Sequence, residues 1–223
     1  MQAEILQKLL PLFPALDREA QRISLALYRL LSGGQPVSAA QLAAAVDLDE
    51  PGVTRALEQW PGVFLDNQKR VVGYWGLALS KMAHQFRLNG RLLYTWCAWD
   101  SLFIPQLLGE AVQIESVCPV TRKAIRLTVR PQGVEDVQPG TAVISLMLPS
   151  DDSIMQDIVT RFCHYVHFFQ SERAAERWTT ANPSTVIVGI QDAYDLGREK
   201  NAAQYPDVLV AGGSKEPLTG GVR

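Results

Sequence analysis

Long apolar runs, clustered charges and cysteine are all scarce in this chain of 223 residues. No apolar run approaches the ~20 residues that a membrane-spanning helix needs. The first residues lack the basic start and the apolar core of a signal peptide. The formal net charge is −2, and no block of lysine and arginine marks a nucleic-acid or membrane surface. We therefore expect a cytoplasmic protein with no membrane partner and no nucleic-acid partner.

The chain has three cysteines, Cys97, Cys118 and Cys163. An odd number does not suit a disulfide framework, and thiols stay reduced in the cytoplasm. Free thiols in such a compartment either fill the core or act as nucleophiles and metal ligands. These positions are therefore the first to consider for chemistry.

Residues 1–78 are predicted to form a helical module that resembles a winged helix-turn-helix. Apolar residues recur at helical spacing over 17–31. Two shorter helices begin at Ser38, which is a good N-cap residue, and at Pro51, which suits a first helical turn. A β-hairpin over 63–75 follows them, as in the winged fold.

The segment that would contact DNA in such a module carries little positive charge. Residues 53–59 contain one arginine, Arg55, and one glutamate, Glu58. DNA-binding proteins need several cations to contact phosphates and to position base contacts. We therefore favour a structural or interface role for residues 1–78, with DNA binding as the weaker alternative.

After residue 78 the pattern changes to antiparallel strands with covering helices. The predicted strands are 86–88, 91–94, 111–118, 124–129, 141–148, 162–169 and 185–190. The predicted helices are 98–108, closed by Gly109, and then 152–159, 171–180 and 193–203. We predict an α+β protein with an N-terminal helical, winged-helix-like module (1–78), a mixed domain (79–205) and a disordered tail (206–223).

Cys97 and Asp100 are the strongest candidates for chemistry. They lie three residues apart at the start of the predicted helix 98–108, and on a helix they would share one face. Cys163 lies in a distant segment, 162–169, that reads as a buried strand. Two thiols and a carboxylate suit a soft metal with a proton donor at hand. Each residue also has a plainer interpretation, because buried cysteine often fills the core and aspartate often caps helices.

Two segments around these residues resemble a known family. Residues 91–105, which contain the letters WCAWD, are similar to the active-site segment of organomercurial (alkylmercury) lyases. Residues 162–169 resemble the segment that carries the second cysteine of these enzymes. The hairpin around Cys118 and the stretch 192–197 also fit, and the likeness runs from about residue 75 to residue 205.

The resemblance implies protonolytic cleavage of a carbon–mercury bond, which yields a hydrocarbon and Hg(II). By motif position, Cys97 and Cys163 would bind mercury as thiolates, and Asp100 would lie against the metal and carry the proton. Cys118 would be structural. The resemblance implies no cofactor beyond small free thiols, an organomercurial substrate, and a mercuric reductase as the partner that accepts Hg(II).

Elementary chemistry agrees with these roles. Thiolate is the softest ligand that proteins offer to a soft metal, and two thiolates should make the mercury-bound carbon more basic. An unperturbed aspartate, with a pKa of ~3.9, is already ionised, but a thiol with a pKa of ~8.5 loses its proton when it binds metal. Asp100 can accept that proton and deliver it to carbon. Apolar neighbours, among them Trp96, Trp99 and Phe103, should exclude water and raise the pKa of Asp100.

One position departs from the family pattern, because relatives often carry a second cysteine where this chain has His164. We expect cleavage to survive this change and product release to differ. Two rival functions stay open: a thiol-based, metal-responsive winged-helix transcriptional sensor, and a mercury carrier without catalysis. A zinc site built from Cys118, Cys163 and a histidine has no CxxC or HxxxH pair to support it.

Overall fold

The computed structural model describes residues 2–149 and 157–209. The side chains of Asp17, Ser38 and Asp49 each accept a hydrogen bond from a backbone N–H in the first turn of a helix. The three helices predicted in this part of the chain are therefore confirmed. The N-terminal helices are α1 (Gln2–Leu9), α2 (Arg18–Leu31), α3 (Ala39–Val46) and α4 (Glu50–Gln59).

An eight-stranded antiparallel sheet, with strand order β1-β2-β3-β5-β4-β6-β7-β8, follows these helices. Its strands are β1 (Val63–Leu65), β2 (Val71–Tyr74), β3 (Leu77–Ala78), β4 (His84–Leu88), β5 (Arg91–Thr95), β6 (Val112–Val117), β7 (Ala124–Arg130) and β8 (Gly133–Gln138). Strand β3 pairs with β2 on one side and with β5 on the other, so the predicted hairpin continues into the main sheet. The α+β class is confirmed, whereas the winged-helix likeness and the boundary at residue 78 stay predictions.

A smaller antiparallel sheet and further helices complete the described fold. The strands, in the order β10-β9-β11, are β9 (Val143–Met147), β10 (Phe168–Phe169) and β11 (Thr185–Gly189). The helices are α5 (Asp100–Leu108), α6 (Ile158–Arg161), α7 (Glu172–Ala181) and α8 (Ile190–Gln204). Within the described ranges, no helix combines the length and the apolar character that a membrane span requires.

Two predictions fall partly outside the described residues. The predicted helix 152–159 is described only from residue 157 onward, where α6 begins at Ile158. The predicted disordered tail is described only as far as residue 209, and the rest of it lies outside the described range. Both therefore stay predictions over the remaining residues.

The predicted strand over 162–169 is wrong for most of its length. Cys163–Tyr165 form one turn of 3₁₀ helix, and Phe168–Phe169 alone pair as a strand. A short apolar run is compatible with a strand or with another buried segment, and periodicity does not separate the two. The two histidines consequently do not alternate between opposite faces, because a ring nitrogen of His167 lies 2.8 Å from His164 O.

Helix α5 lies within the core and is buried on nearly every side. Eight of its nine residues are buried, and it packs against α2, α8 and strand β7. The close approach of α8 depends on Gly197, because a Cβ atom there would lie 2.7 Å from the Cβ of Phe103. A helix without a polar face suits such an environment. Its first residue, Asp100, is thereby held away from water.

Candidate active site

The turn between β5 and α5 brings Cys97 and Asp100 together. Cys97 precedes the helix and Asp100 is its first residue, and Asp100 Oδ2 accepts a hydrogen bond from the Cys97 N–H at 2.9 Å. Thr95 Oγ1 donates to Cys97 O at 3.0 Å, and Ser101 Oγ donates to Ala98 O at 2.6 Å. The expected proximity is present, but it comes from this hydrogen-bonded turn and not from a shared helical face.

The segment that carries Cys163 docks directly onto this turn, because Ala98 N donates to Val166 O at 3.1 Å. The two sulfur atoms of Cys97 and Cys163 and one carboxylate oxygen of Asp100 all lie within 4.8 Å of one another. We call these three residues the thiol–carboxylate cluster. Over residues 2–149 and 157–209 it is the one group of three or more Cys, His, Asp or Glu side chains that converges in this way.

The thiol–carboxylate cluster is buried, and a group of aromatic side chains packs around Trp99, which lies between Cys97 and Asp100 in the chain. The relative exposures of Cys97, Asp100 and Cys163 are 0%, 7% and 4%. Trp99 is fully buried, and its Nε1–H donates to Ala193 O at 2.8 Å. Its ring lies 6.0, 5.4 and 6.4 Å, between centroids, from Phe13, Phe103 and Phe162. Charges inside such an enclosure interact more strongly than they do in water.

Gly76 lies against the carboxylate of Asp100. Its φ is +97°, and a Cβ atom at this position would lie 2.5 Å from Asp100 Cγ. Its carbonyl also accepts a hydrogen bond from Trp96 N at 2.9 Å. Glycine alone offers both this backbone conformation and this space. The sequence analysis missed Gly76 because no local pattern places residue 76 beside residue 100.

Burial shifts the pKa of each side chain in the thiol–carboxylate cluster. It raises the pKa of Asp100 to about 6, although hydrogen bonds from Cys97 and the charge of Lys200 act in the opposite direction. Burial also raises the pKa of the Cys97 thiol, and Cys163 and Asp100 raise it further. The hydrogen bond with Cys97 lowers the pKa of Cys163, but burial and the Asp100 carboxylate outweigh it, and the net shift is upward. At neutral pH the resting cluster therefore holds two thiols and a mostly ionised carboxylate.

The raised pKa of Asp100 predicts how stability depends on pH. The pKa moves from 3.8 to about 6 on folding, so between these values the folded protein keeps a proton that the unfolded chain has lost. Stability from this group is therefore complete below pH ~4 and is lost as the pH rises through 6. We expect Asp100→Asn to raise the free energy of unfolding by ~1–3 kcal/mol at pH 8 and by little at pH 4, as measured by urea unfolding. An equal effect at both pH values would contradict this account.

Lys200 is a buried charge that the sequence analysis missed. Its exposure is 1%, and its Nζ lies 4.0 Å from the ring centroid of Phe103 and 4.5 Å from that of Phe13. Burial lowers the pKa of Lys200 to about 7, although the Asp100 carboxylate opposes this shift. No local sequence pattern marks Lys200, because its burial in α8 arises only when that helix packs against the rest of the fold.

Cys118 lies apart from the thiol–carboxylate cluster, in the turn between β6 and β7. Its sulfur accepts a hydrogen bond from Thr121 N at 3.4 Å, and its backbone N–H donates to Lys123 O at 2.9 Å. Burial raises the pKa of Cys118, but hydrogen bonds from the turn outweigh this effect, so the net shift is downward. The zinc site considered from the sequence does not assemble among the described residues, because Cys118 and the histidines do not converge with Cys163.

Comparisons with known proteins agree with this geometry. The family model for alkylmercury lyase matches residues 77–201, which is more than half of the chain. The chain is 41% identical to the alkylmercury lyase of Staphylococcus epidermidis over 79% of this chain and 80% of that protein. It is 40% identical to the alkylmercury lyase of Bacillus cereus over 84% of each chain.

A solved structure extends the similarity to the fold. The crystal structure of the mercury-bound form of MerB2 superimposes with a TM-score of 0.74 at 25% identity, covering 91% of this chain and 99% of that one. At 91% of the chain, the similarity extends beyond residues 77–201 and includes much of the N-terminal part. On this evidence the chain belongs to the alkylmercury lyase family.

Proposed function

We propose that this protein cleaves the carbon–mercury bond of organomercurials by protonolysis and releases a hydrocarbon and Hg(II). The observation that carries the proposal is the buried convergence of two sulfur atoms and one carboxylate oxygen within 4.8 Å. Sulfur suits the soft metal, and the carboxylate supplies a site for the proton. Membership of the alkylmercury lyase family supports the same reaction.

The first step is an exchange of thiols on the substrate. An organomercurial arrives as R–Hg–SR′, where R′SH is a small free thiol. The thiol of Cys97 replaces R′S on mercury, and the proton that it loses leaves with R′SH. Mercury exchanges readily between soft sulfur ligands, and metal binding removes the thiol proton even though burial raises the pKa of Cys97.

The second step transfers a proton within the thiol–carboxylate cluster. Cys163 binds mercury as a second thiolate, and its proton passes to the ionised carboxylate of Asp100. A carboxyl group with a pKa of about 6 is ionised in most molecules at neutral pH and still holds a proton well enough to deliver it. The Cys97 N–H, which donates to Asp100 Oδ2, keeps the carboxyl group beside the metal.

In the third step the carbon–mercury bond breaks. Two thiolates donate electron density to mercury, so the attached carbon becomes basic and takes the proton from Asp100. The bond pair stays with carbon, which leaves as R–H, and mercury remains as Hg(II) bound to both sulfurs. Asp100 returns to its ionised form, so neither an oxidant nor a reductant is needed.

We propose that the reaction needs no resident cofactor and that small thiols remove the Hg(II) product. A mercuric reductase that exchanges thiols is the partner we expect to receive it, in the bacterial cytoplasm. His164 is exposed and directly follows the buried Cys163, so incoming thiols meet an imidazole at this position. Its effect on product release stays a prediction.

The direct test of the reaction class is hydrocarbon release. Purified protein is mixed with methylmercury or phenylmercury and excess thiol, and headspace gas chromatography follows methane or benzene. We expect many equivalents of hydrocarbon for each protein molecule. Stoichiometric mercury binding without hydrocarbon would overturn the proposal and favour a carrier or a sensor.

The transcriptional sensor remains the principal rival function. It requires DNA affinity that falls steeply with salt, because phosphate contacts release counterions. The helix α4 contains one arginine and begins with Glu50 in its first turn, which disfavours DNA contact. A gel-shift titration with mercury-responsive operator DNA separates the two functions, and we expect no specific shift.

Gly76→Ala is expected to impair catalysis by displacing the Asp100 carboxylate. A misplaced catalytic group costs on the order of 10²-fold in rate. Gly90→Ala is the matched control. Gly90 has a φ of +80° and nothing within 4 Å of an added Cβ, so this variant introduces the backbone strain without a steric clash. Hydrocarbon release is measured for both variants. Equal rates would contradict the positioning role of Gly76.

Cys118→Ala is expected to leave hydrocarbon release within about twofold of the parent rate. The Cys118 sulfur lies in a turn outside the thiol–carboxylate cluster. Loss of its hydrogen bond from Thr121 should instead lower the free energy of unfolding by ~1–2 kcal/mol. Turnover and urea unfolding are measured together. Abolished turnover in a folded variant would show that Cys118 takes part in the chemistry.

A further inference from the structure

Lys200 lies in an environment that rarely contains a charge. It has 1% exposure, and its Nζ lies 4.0, 4.5 and 5.7 Å from the ring centroids of Phe103, Phe13 and Tyr205. Among the described residues, Lys200 Nζ donates a hydrogen bond to Asn201 Oδ1 at 3.3 Å. Aromatic faces stabilise a cation, but a buried ammonium without a negative partner is costly.

The negative charge that acts on Lys200 is that of Asp100. None of the ion pairs between described residues includes Lys200. The charge of Asp100 raises the pKa of Lys200 and so opposes loss of the ammonium proton. Phe103 lies one helical turn after Asp100. The ammonium over the Phe103 ring therefore lies near the first turn of α5. The nearby Tyr205 is neutral, because burial raises the pKa of its hydroxyl group.

The dipole of α5 also favours a negative charge near Lys200. The N-terminus of α5 carries the positive end of the helix dipole, which repels a cation. Lys200 nevertheless packs close to this end, through its contact with Phe103. A negative charge at the start of α5 offsets both the dipole and the burial of the ammonium, and Asp100 is the acidic residue in that turn.

The proposed reaction keeps one negative charge in this enclosure at every stage. The charge begins on the Asp100 carboxylate, moves to the mercury atom and its two thiolates when Asp100 takes the proton, and returns to Asp100 when R–H leaves. We propose that Lys200 is the counter-charge of the active site: its ammonium form, which the negative charge favours, balances this single charge wherever it resides. Lys200 is therefore a positioning residue that does not itself touch the substrate. The kinetic part of this inference rests on the proposed function.

The first test uses mercury-free protein, so it does not depend on the lyase reaction. Urea unfolding is measured at pH 7 for the parent, Asp100→Asn, Lys200→Met and the double variant. Methionine keeps the length of the side chain and removes the charge. If the two charges are paired, Lys200→Met stabilises the protein more in the Asp100→Asn background than in the parent, because the ammonium there has lost its partner. Additive effects would overturn the pairing, whether or not the protein is a lyase.

The second test separates the charge from the packing of Lys200. Single-turnover hydrocarbon release and organomercurial binding are measured for Lys200→Met, with Lys123→Met, at an exposed turn position, as the matched control. We expect Lys200→Met to slow release by about tenfold, while the stoichiometry of organomercurial binding and the stability do not fall. A purely structural lysine would give the reverse, lower stability with an unchanged rate per folded molecule. Release at the parent rate would contradict the counter-charge role.

Discussion

Asp100→Asn is expected to lower the rate of hydrocarbon release by ~10²–10⁴-fold, which is the usual contribution of a positioned proton-transfer group. Asparagine keeps an oxygen that can accept the hydrogen bond from Cys97 N, now 2.9 Å from Asp100 Oδ2. It cannot accept a proton from Cys163 or deliver one to carbon. Both thiols remain, so the variant should still bind an organomercurial with one equivalent for each protein molecule.

Two measurements define this expectation: headspace chromatography gives the rate, and equilibrium dialysis gives the bound mercury. Asp49→Asn is a suitable control, because Asp49 also accepts a backbone hydrogen bond in a first helical turn, from Gly52 N, but lies outside the cluster. It should turn over like the parent. If Asp100→Asn retained the parent rate, the proton would have to come from another group and the assigned role of Asp100 would be wrong.

Cys163→Ser is the variant with the second large expected effect. A hydroxyl group is a hard ligand for a soft metal and stays protonated, so mercury would keep one thiolate and the carbon would remain weakly basic. Loss of an outer-shell partner of a metal site costs 10–100-fold, and loss of a direct ligand should exceed that, so we expect at least ~10²-fold slower release. Single-turnover chromatography with protein in excess over substrate measures this rate.

Cys118→Ser provides the matched control for Cys163→Ser, because it makes the same chemical change at a buried thiol outside the cluster. The control should release hydrocarbon near the parent rate. A Cys163→Ser protein with near-parental turnover would refute the two-thiolate mechanism. A comparable loss in both serine variants would indicate a general effect on folding, which the unfolding curves of the two proteins would show.

Much of the fold could be predicted because its signals are local. Ser38 and Asp17 cap helices with side chains that contact residues three positions later, and Gly109 ends α5 in the left-handed conformation. Strand β8 (Gly133–Gln138) gives no clear sequence pattern because all six of its residues are exposed or half-buried, as an edge strand allows. The segment around Cys163 was assigned to a strand because burial, and not sheet pairing, makes it apolar.

The site itself was predictable only in part. The sequence places Cys97 near Asp100 and the family resemblance adds Cys163, but their actual contact depends on the hydrogen bond between Ala98 and Val166. Gly76 and Lys200 could not have been selected, because each reaches Asp100 through tertiary packing alone. Sequence motifs thus identify the residues that react. The residues that position the Asp100 carboxylate or offset its charge become apparent only in the folded structure.

A single turnover without added thiol tests the central claim most directly. Protein in slight excess is mixed with a methylmercury salt, and methane and protein-bound mercury are counted after gel filtration. The account predicts one equivalent of methane for each methylmercury, with Hg(II) retained on the two thiolates of Cys97 and Cys163, because no external thiol removes it. Methylmercury recovered intact on the protein, with no methane, would contradict it.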